Sequence, residues 1–305
     1  MKLTENDFKI LLMVARYYAL SAPMIHCLCF AHRKDQRHTR RRLSELARHR
    51  LIRKSTANVA FSTGNSGPVY TPTHEGCEAL SVFMNDEAWL ATYTRPPRLD
   101  RLYHWLDCSW AHTVIDQACQ LCPAVERVDW VNEWAPIPDA DGNPNGYVLH
   151  TQFRENPPLS CSPDAAFLLE VAGHRRVYYV EVDRGTSGPT RVAASKVGGY
   201  SELLLTQGHR RHYPATTCDD FSVLLITIDG NHRDRIQREV AKHTQHNPEL
   251  WLFTHRVEFT KDSALLGTIY KDHDGQLGPL LDLPESTSVV VSRDDSPEAV
   301  RASHD

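Results

Sequence analysis

Stretches with a helical period alternate along the chain with stretches that alternate like strands. Thr4, with Asp7 three residues on, opens a helix running to about Tyr18 and sets Phe8, Leu11, Leu12 and Ala15 on one face. Pro23 starts a short second helix carrying Ile25, Leu28 and Phe30, and Asp35 to His49 forms a third with Leu43, Leu46 and Ala47 inward. Leu51 to Lys54 reads as a strand, Thr63 to Pro68 as a turn, and Val69 to Thr73 as the returning strand before a helix from His74 to Phe83. Leu102 to Cys119 then repeats Trp105, Cys108, His112, Ile115 and Cys119 at three- and four-residue spacing. Strand candidates follow at 128–134, 147–153, 162–170 and 176–184. Beyond them come a helix from Pro189 to Leu205, a buried strand from Phe221 to Ile228, a helix from Arg233 to His243 and a strand from Leu250 to Thr254. A run of strands followed by helix–strand alternation predicts an α/β (mixed α+β) fold, a mixed sheet flanked by helices.

These patterns divide the chain into a helical module with a hairpin at 1–84, a linker at 85–101 containing Thr94-Arg95-Pro96-Pro97-Arg98, a second domain at 102–283 and a polar, disordered tail at 284–305. With 41% hydrophobic and 24% charged residues in 305, the composition excludes fibrous and disordered classes. No apolar run approaches 18 residues, so a membrane protein is not expected. The N-terminus enters an amphipathic pattern without a signal-peptide core, which points to the cytoplasm and to reduced cysteines. Cys119 and Cys122 form a lone CxxC without a second pair, better read as core thiols than as zinc ligands. Asp139, Asp141, Gly142 and Asn143 lack the closing glutamate of a calcium loop and read as a surface turn. Tyr17 and Tyr18 are core candidates.

The formal charge of −4 conceals a segregation: residues 1–80 hold thirteen Lys and Arg against six acids. On the third helix Arg37, Arg40, Arg41, Arg42 and Arg48 face largely outward. An isolated arginine run is usually a solvated face, but three helices followed by a hairpin resemble winged-helix DNA-binding domains, including the Tyr-x-x-Thr-x-x-Gly stretch from Tyr70 to Gly76. That resemblance implies that these arginines contact double-stranded DNA. Docking to a protein is the alternative.

Three carboxylates stand where apolar strands do not want them. Asp164 lies at the mouth of the strand after Ser162-Pro163, and Glu181 and Asp183, two apart, share a face of the next. Clustered acids are costly to bury unless a divalent cation or basic partners compensate them. These residues resemble the active-site hairpin of the PD-(D/E)xK nuclease superfamily: Pro163-Asp164 is present, and the triplet is Glu181-Val182-Asp183, with Asp where that superfamily usually has Lys. Lys196, on the following helix, is the best replacement, and Lys196 to Tyr200 is similar to the Gln-x-x-x-Tyr motif of some members. The run from Glu181 to Thr186 with Lys196 and Tyr200 more specifically resembles the replication-relaxation family, related to MobC-type mobilisation relaxases, over roughly the whole chain up to the tail. The resemblance implies an N-terminal winged helix-turn-helix, a restriction-endonuclease-like core, and a nicking endonuclease acting on plasmid or mobile-element DNA. Mg²⁺ or Mn²⁺ would be held by Asp164, Glu181 and Asp183, with Glu133 a further ligand candidate. Lys196 would neutralise the phosphate and Tyr200 orient it or a water. Implied partners are double-stranded DNA, replication or conjugation proteins and a second copy of the chain. The altered triplet keeps open a winged-helix regulator or adaptor with an inactive nuclease-like domain, in which Asp164 caps a turn and Glu181 and Asp183 pair with Arg184 or Arg191.

Overall fold

In a computed structural model, which describes residues 2–56, 67–138, 144–244 and 247–283, the Asp7 carboxylate accepts hydrogen bonds from the Thr4 amide (2.8 Å) and hydroxyl (2.7 Å) at the start of α1 (Glu5–Tyr17). The buried face of α1 is Ile10, Leu11, Val14 and Tyr17, rotated from the expected one. Phe8 stays at the edge of that core, half-buried and stacked on Phe83 at 3.8 Å. After β1 (Leu20–Ser21), the Ser21 hydroxyl caps α2 (Ala22–Phe30), and α3 (Arg37–Arg48) follows with Leu43 and Leu46 buried. His26 ties α2 to α3 through Thr39 at 2.9 Å. β2 (Ile52–Ser55) and β3 (Val69–Pro72) pair antiparallel and, with β1, make a three-stranded sheet in the order β1-β3-β2. The turn expected at Thr63 to Pro68 lies mostly outside the described residues. α4 (His74–Met84) is capped by Thr73, whose hydroxyl accepts from the Gly76 amide and donates to the Arg50 carbonyl. A Cβ on Gly76 would meet the Leu51 carbonyl oxygen at 1.9 Å, so that motif position requires glycine.

The segment expected as a linker is partly ordered. It carries a short 3₁₀ turn at Glu87–Ala91, and the Arg95 carbonyl accepts from the Tyr18 hydroxyl at 2.7 Å. α5 (Leu102–Leu121) then serves both halves of the chain. Toward the N-terminal helices its Asp116 accepts from Tyr17 (2.8 Å), pairs with Arg16 (2.9 Å) and is clasped by Arg127, while Ser109 donates to the Tyr17 carbonyl. Tyr18, Ala19 and Val69 share an apolar cluster with Leu102, Tyr103, Trp105 and Trp134. Tyr17 and Tyr18 are thus core residues at 3% exposure each.

β4 (Val125–Asn132) begins the larger sheet. The expected strand at 147–153 is divided: β5 (Pro136–Pro138) pairs with β6 (Pro144–Tyr147), and β7 (Thr151–Arg154) with β8 (Leu159–Cys161), because the turn at Val148–His150 interrupts the run. The acids of the supposed surface turn, Asp139 and Asp141, lie outside the described residues. β9 (Ala165–Val171) and β10 (His174–Val182) form the hairpin, turning at Ala172 and Gly173, both at positive φ (49° and 82°). α6 (Pro189–Leu205), α7 (His209–His212), β11 (Phe221–Thr227), α8 (Gly230–His243), β12 (Trp251–His255), β13 (Tyr270–Lys271) and β14 (Leu277–Gly278) complete the chain. The seven strands run in the order β14-β13-β12-β11-β10-β9-β4, with β10, β11 and β12 parallel and the other pairings antiparallel.

Alternation along these strands builds three layers. Phe167, Leu169, Tyr178, Val180, Leu224 and Ile226 pack against Ala111, Val114, Ile115 and Ala118 of α5, where Cys122 is also buried. On the other face Leu168, Val177, Tyr179, Val223 and Leu225 pack against Ala193, Val197, Tyr200 and Leu203 of α6 and Ile236 and Val240 of α8. Among the described residues no helix is long and apolar enough to cross a membrane.

Candidate functional site

The same alternation that sends Val177 and Tyr179 toward α6 sends Glu181 there too, at the carboxyl end of β10, where open sheets with parallel strands form their crevices. Glu181 is 4% exposed. Two residues of α6 meet it: Lys196 Nζ lies 2.6 Å from Oε2, and the Tyr200 hydroxyl donates to Oε1 at 2.6 Å. Lys196 also donates to the Ser162 carbonyl at 3.2 Å, just before Pro163-Asp164. Their approach depends on Gly199, where a Cβ would meet the Ser160 carbonyl oxygen at 2.5 Å; a side chain there would lift α6 from β8. The helix thus supplies the cation that the strand lacks at Asp183.

Asp164 sits across the hairpin. One carboxylate oxygen accepts from the Val182 amide at 2.8 Å, and the other lies 3.2 Å from His104 Nε2, in the first turn of α5. Burial alone would raise the Asp164 carboxyl, but His104 and Lys196 overcome it and hold the group well below the carboxylate range. Burial likewise opposes charge on His104, yet Asp164 raises it to about 12. Burial pushes Glu181 up to about 7 against the pull of Lys196, with Asp164 adding to the rise. Desolvation works against the Lys196 charge, and Glu181 and Asp164 raise its pKa regardless. Burial also raises Glu133, which accepts from the Trp105 indole N–H.

Asp164, Glu181, Lys196 and Asp183 line one cleft of about 400 Å³, together with His104, Arg184 and Arg191. The carboxylates in and beside it divide. A ligand atom from each of His104, Glu133 and Asp164 lies within 4.8 Å of the others. Asp183 instead turns to His232 of α8, accepts from the Gly185 amide at 3.2 Å, and so is already partnered. Arg184 bonds Asp107 at 3.1 Å and lies over the Tyr103 ring. Carboxylate oxygens suit Mg²⁺ or Mn²⁺. Among the described residues the group whose ligand atoms lie close enough to share an ion is His104, Glu133 and Asp164, and beside it both Glu181 oxygens are taken by Lys196 and Tyr200.

The α3 arginines also divide. Arg37 and Arg41 have side chains 92% and 65% exposed, and Arg40 and Arg48 are exposed as well. Arg42 does not face outward. Its guanidinium forks onto Asp7 (Nε 2.7 Å, Nη2 2.5 Å) and reaches Glu45, because α1 packs its first turn against that face of α3 and a buried carboxylate needs a cation there.

His104 and His232 were not singled out by sequence. His104 is one residue off the apolar stripe of α5, and His232 follows the Asp229 cap of α8 by three residues, so only the packing of the two helices on opposite faces at the carboxyl end of β10 brings them to Asp164 and Asp183.

Fold and cleft together define a class: a mixed-sheet α/β protein with a carboxylate–lysine cleft at its parallel strand ends and a basic helical module docked on the flanking helix. The replication-relaxation model matches residues 11–217, and the chain belongs to that family. Membership connects it with replication or the processing of mobile-element DNA. No curated protein and no solved structure matches it.

Proposed function

We propose that the chain is a DNA-binding, divalent-metal-dependent endonuclease of the PD-(D/E)xK kind that nicks plasmid or mobile-element DNA. The observation that carries this reading is the Lys196–Glu181 contact at 2.6 Å: a lysine from a helix occupies the neighbourhood that the missing triplet lysine would fill, beside Asp164. Asp164 and Glu181, with Glu133, would hold Mg²⁺ or Mn²⁺, which lowers the pKa of an attacking water. Lys196, its side chain 27% exposed and anchored by Ser162, presents positive charge to a phosphate oxygen. Tyr200 fixes Glu181 from behind, and Asp183 positions α8 through His232. The N-terminal module, three helices and a three-stranded antiparallel sheet, is read as a winged helix that places Arg37, Arg40, Arg41 and Arg48 on duplex DNA.

The test is incubation with supercoiled plasmid and Mg²⁺ or Mn²⁺, with and without chelator. Open circles should form only with metal, and Lys196→Ala and Glu181→Gln should abolish them while duplex binding persists. Duplex binding without nicking by the wild type under any divalent ion would identify a DNA-binding regulator whose second half is a scaffold.

A further inference from the structure

Next to the carboxylate cleft lies a second, about 540 Å³ in volume, formed where the helical module meets the sheet domain. Its charged lining comes from both halves: Arg40 of α3 and Lys54 of β2 on one side, Arg184 and Arg256 on the other, against one acid, Asp107. Asp107 pairs with both Arg184 and Arg256, so the cleft keeps a cationic excess. Arg184 lines both clefts and forms the wall they share. The floor is aromatic. Trp110 is half-buried, braced edge-on by Phe259 at 5.5 Å, and the Arg256 guanidinium lies over its ring at 4.5 Å. This stack presents a flat cationic plane, the surface on which an unpaired base adds by stacking.

We infer that this cleft binds an unpaired DNA strand, its phosphates on Lys54 and Arg184 and a base on the Arg256–Trp110 stack, and leads that strand past Arg184 to the carboxylates. The combination of a cationic groove with an aromatic platform suits single strands of any sequence. A double helix is excluded by size: its major groove alone is about 12 Å wide, so a duplex can only lie across the mouth of a cleft of this volume, away from the Trp110 ring. The strand's direction of travel rests on the endonuclease reading; its binding does not.

The experiment measures fluorescence anisotropy of the full chain with a labelled mixed-sequence single strand and with the matching duplex, both in chelator so that metal and cleavage play no part. The wild type should bind the single strand with strong salt dependence. Trp110→Leu should weaken that binding at least about fivefold, the low end of what one stacked base contributes, and change duplex binding less than twofold. Lys54→Gln, at an exposed position that cannot disturb the core, should weaken single-strand binding and lower its salt slope by about 1. The proposal is overturned if the wild type does not bind the single strand, if neither variant affects it, or if both ligands lose equally. Single-strand binding that survives alongside a failed plasmid assay would overturn the endonuclease reading and leave this site standing.

Discussion

Arg42→Ala tests how much of the α3 arginine run serves the fold. The Arg42 side chain is 13% exposed and the Asp7 carboxylate fully covered, so removing the guanidinium leaves a buried charge that has lost two of its donors. Breaking a buried ion pair from one side costs about 3–5 kcal/mol. Asp7 retains the Thr4 amide and hydroxyl and the favourable field of the α1 N-terminus, which places the loss at the lower end, about 3 kcal/mol. At about 2–4 °C per kcal/mol for a chain of this size, the melting temperature should fall by about 6–12 °C. Arg41→Ala removes only a surface pair at 3.9 Å and should cost under about 0.5 kcal/mol. Urea titrations of both variants, with Asp7→Asn and the double variant closing a cycle, measure the coupling directly; about 2 kcal/mol is expected. A loss under about 1 kcal/mol for Arg42→Ala, indistinguishable from Arg41→Ala, would refute the assignment. In DNA titrations the roles reverse: Arg40→Ala or Arg41→Ala should each lower the salt slope by about 1, and Arg42→Ala should leave it unchanged in the fraction that is folded.

Gly199→Ala should destabilise the chain by about 1–3 kcal/mol and reduce nicking, because its Cβ displaces α6 from the Ser160 carbonyl. Gly198→Ala, with only the Leu159 side chain at 3.4 Å, should be neutral or stabilise the helix by up to about 1 kcal/mol; thermal melts of the pair separate the two. His212 is buried between Tyr179 (2.7 Å) and Thr151 (3.0 Å), and burial lowers its pKa from 6.5 to about 4. The unfolded chain therefore binds more protons between those values, so the contribution of His212 is full above about pH 6.5 and lost as pH falls toward 4, by up to about 3 kcal/mol. His212→Gln should flatten urea midpoints across that window; an unchanged slope would contradict the burial argument. Tyr200→Phe should keep the fold but free Glu181 Oε1, lowering nicking more than stability.

Where local patterns decided structure, the sequence was legible. Pro189 to Leu205 forms a helix with the expected limits, and the β9–β10 hairpin places Asp164 and Glu181 on neighbouring strands because two apolar runs flank a turn. Lys196 is legible only through the resemblance of Lys196 to Tyr200 to the Gln-x-x-x-Tyr motif; the structure adds that this one-turn spacing brings both to the same carboxylate. What escaped was set by long-range packing. The helical period showed that α1 has an apolar face but not that Phe8, at its edge, would stack on Phe83. An arginine run does not reveal that one member answers an acid thirty-five residues away. β13 and β14, two residues each, are strands only because β12 offers an edge to pair with.

α5 holds the helical module at Ser109 and Asp116 and the carboxylate cleft at His104, twelve residues or about 18 Å along its axis from Asp116. A continuous α-helix hardly stretches, so under the proposed function it would act as a ruler: DNA held by the α3 arginines would meet the cleft at one fixed interval. Any break in the strand should then fall a constant number of nucleotides from the gripped site, whatever sequence lies between, and a one-turn insertion in α5 would move the break without moving the grip.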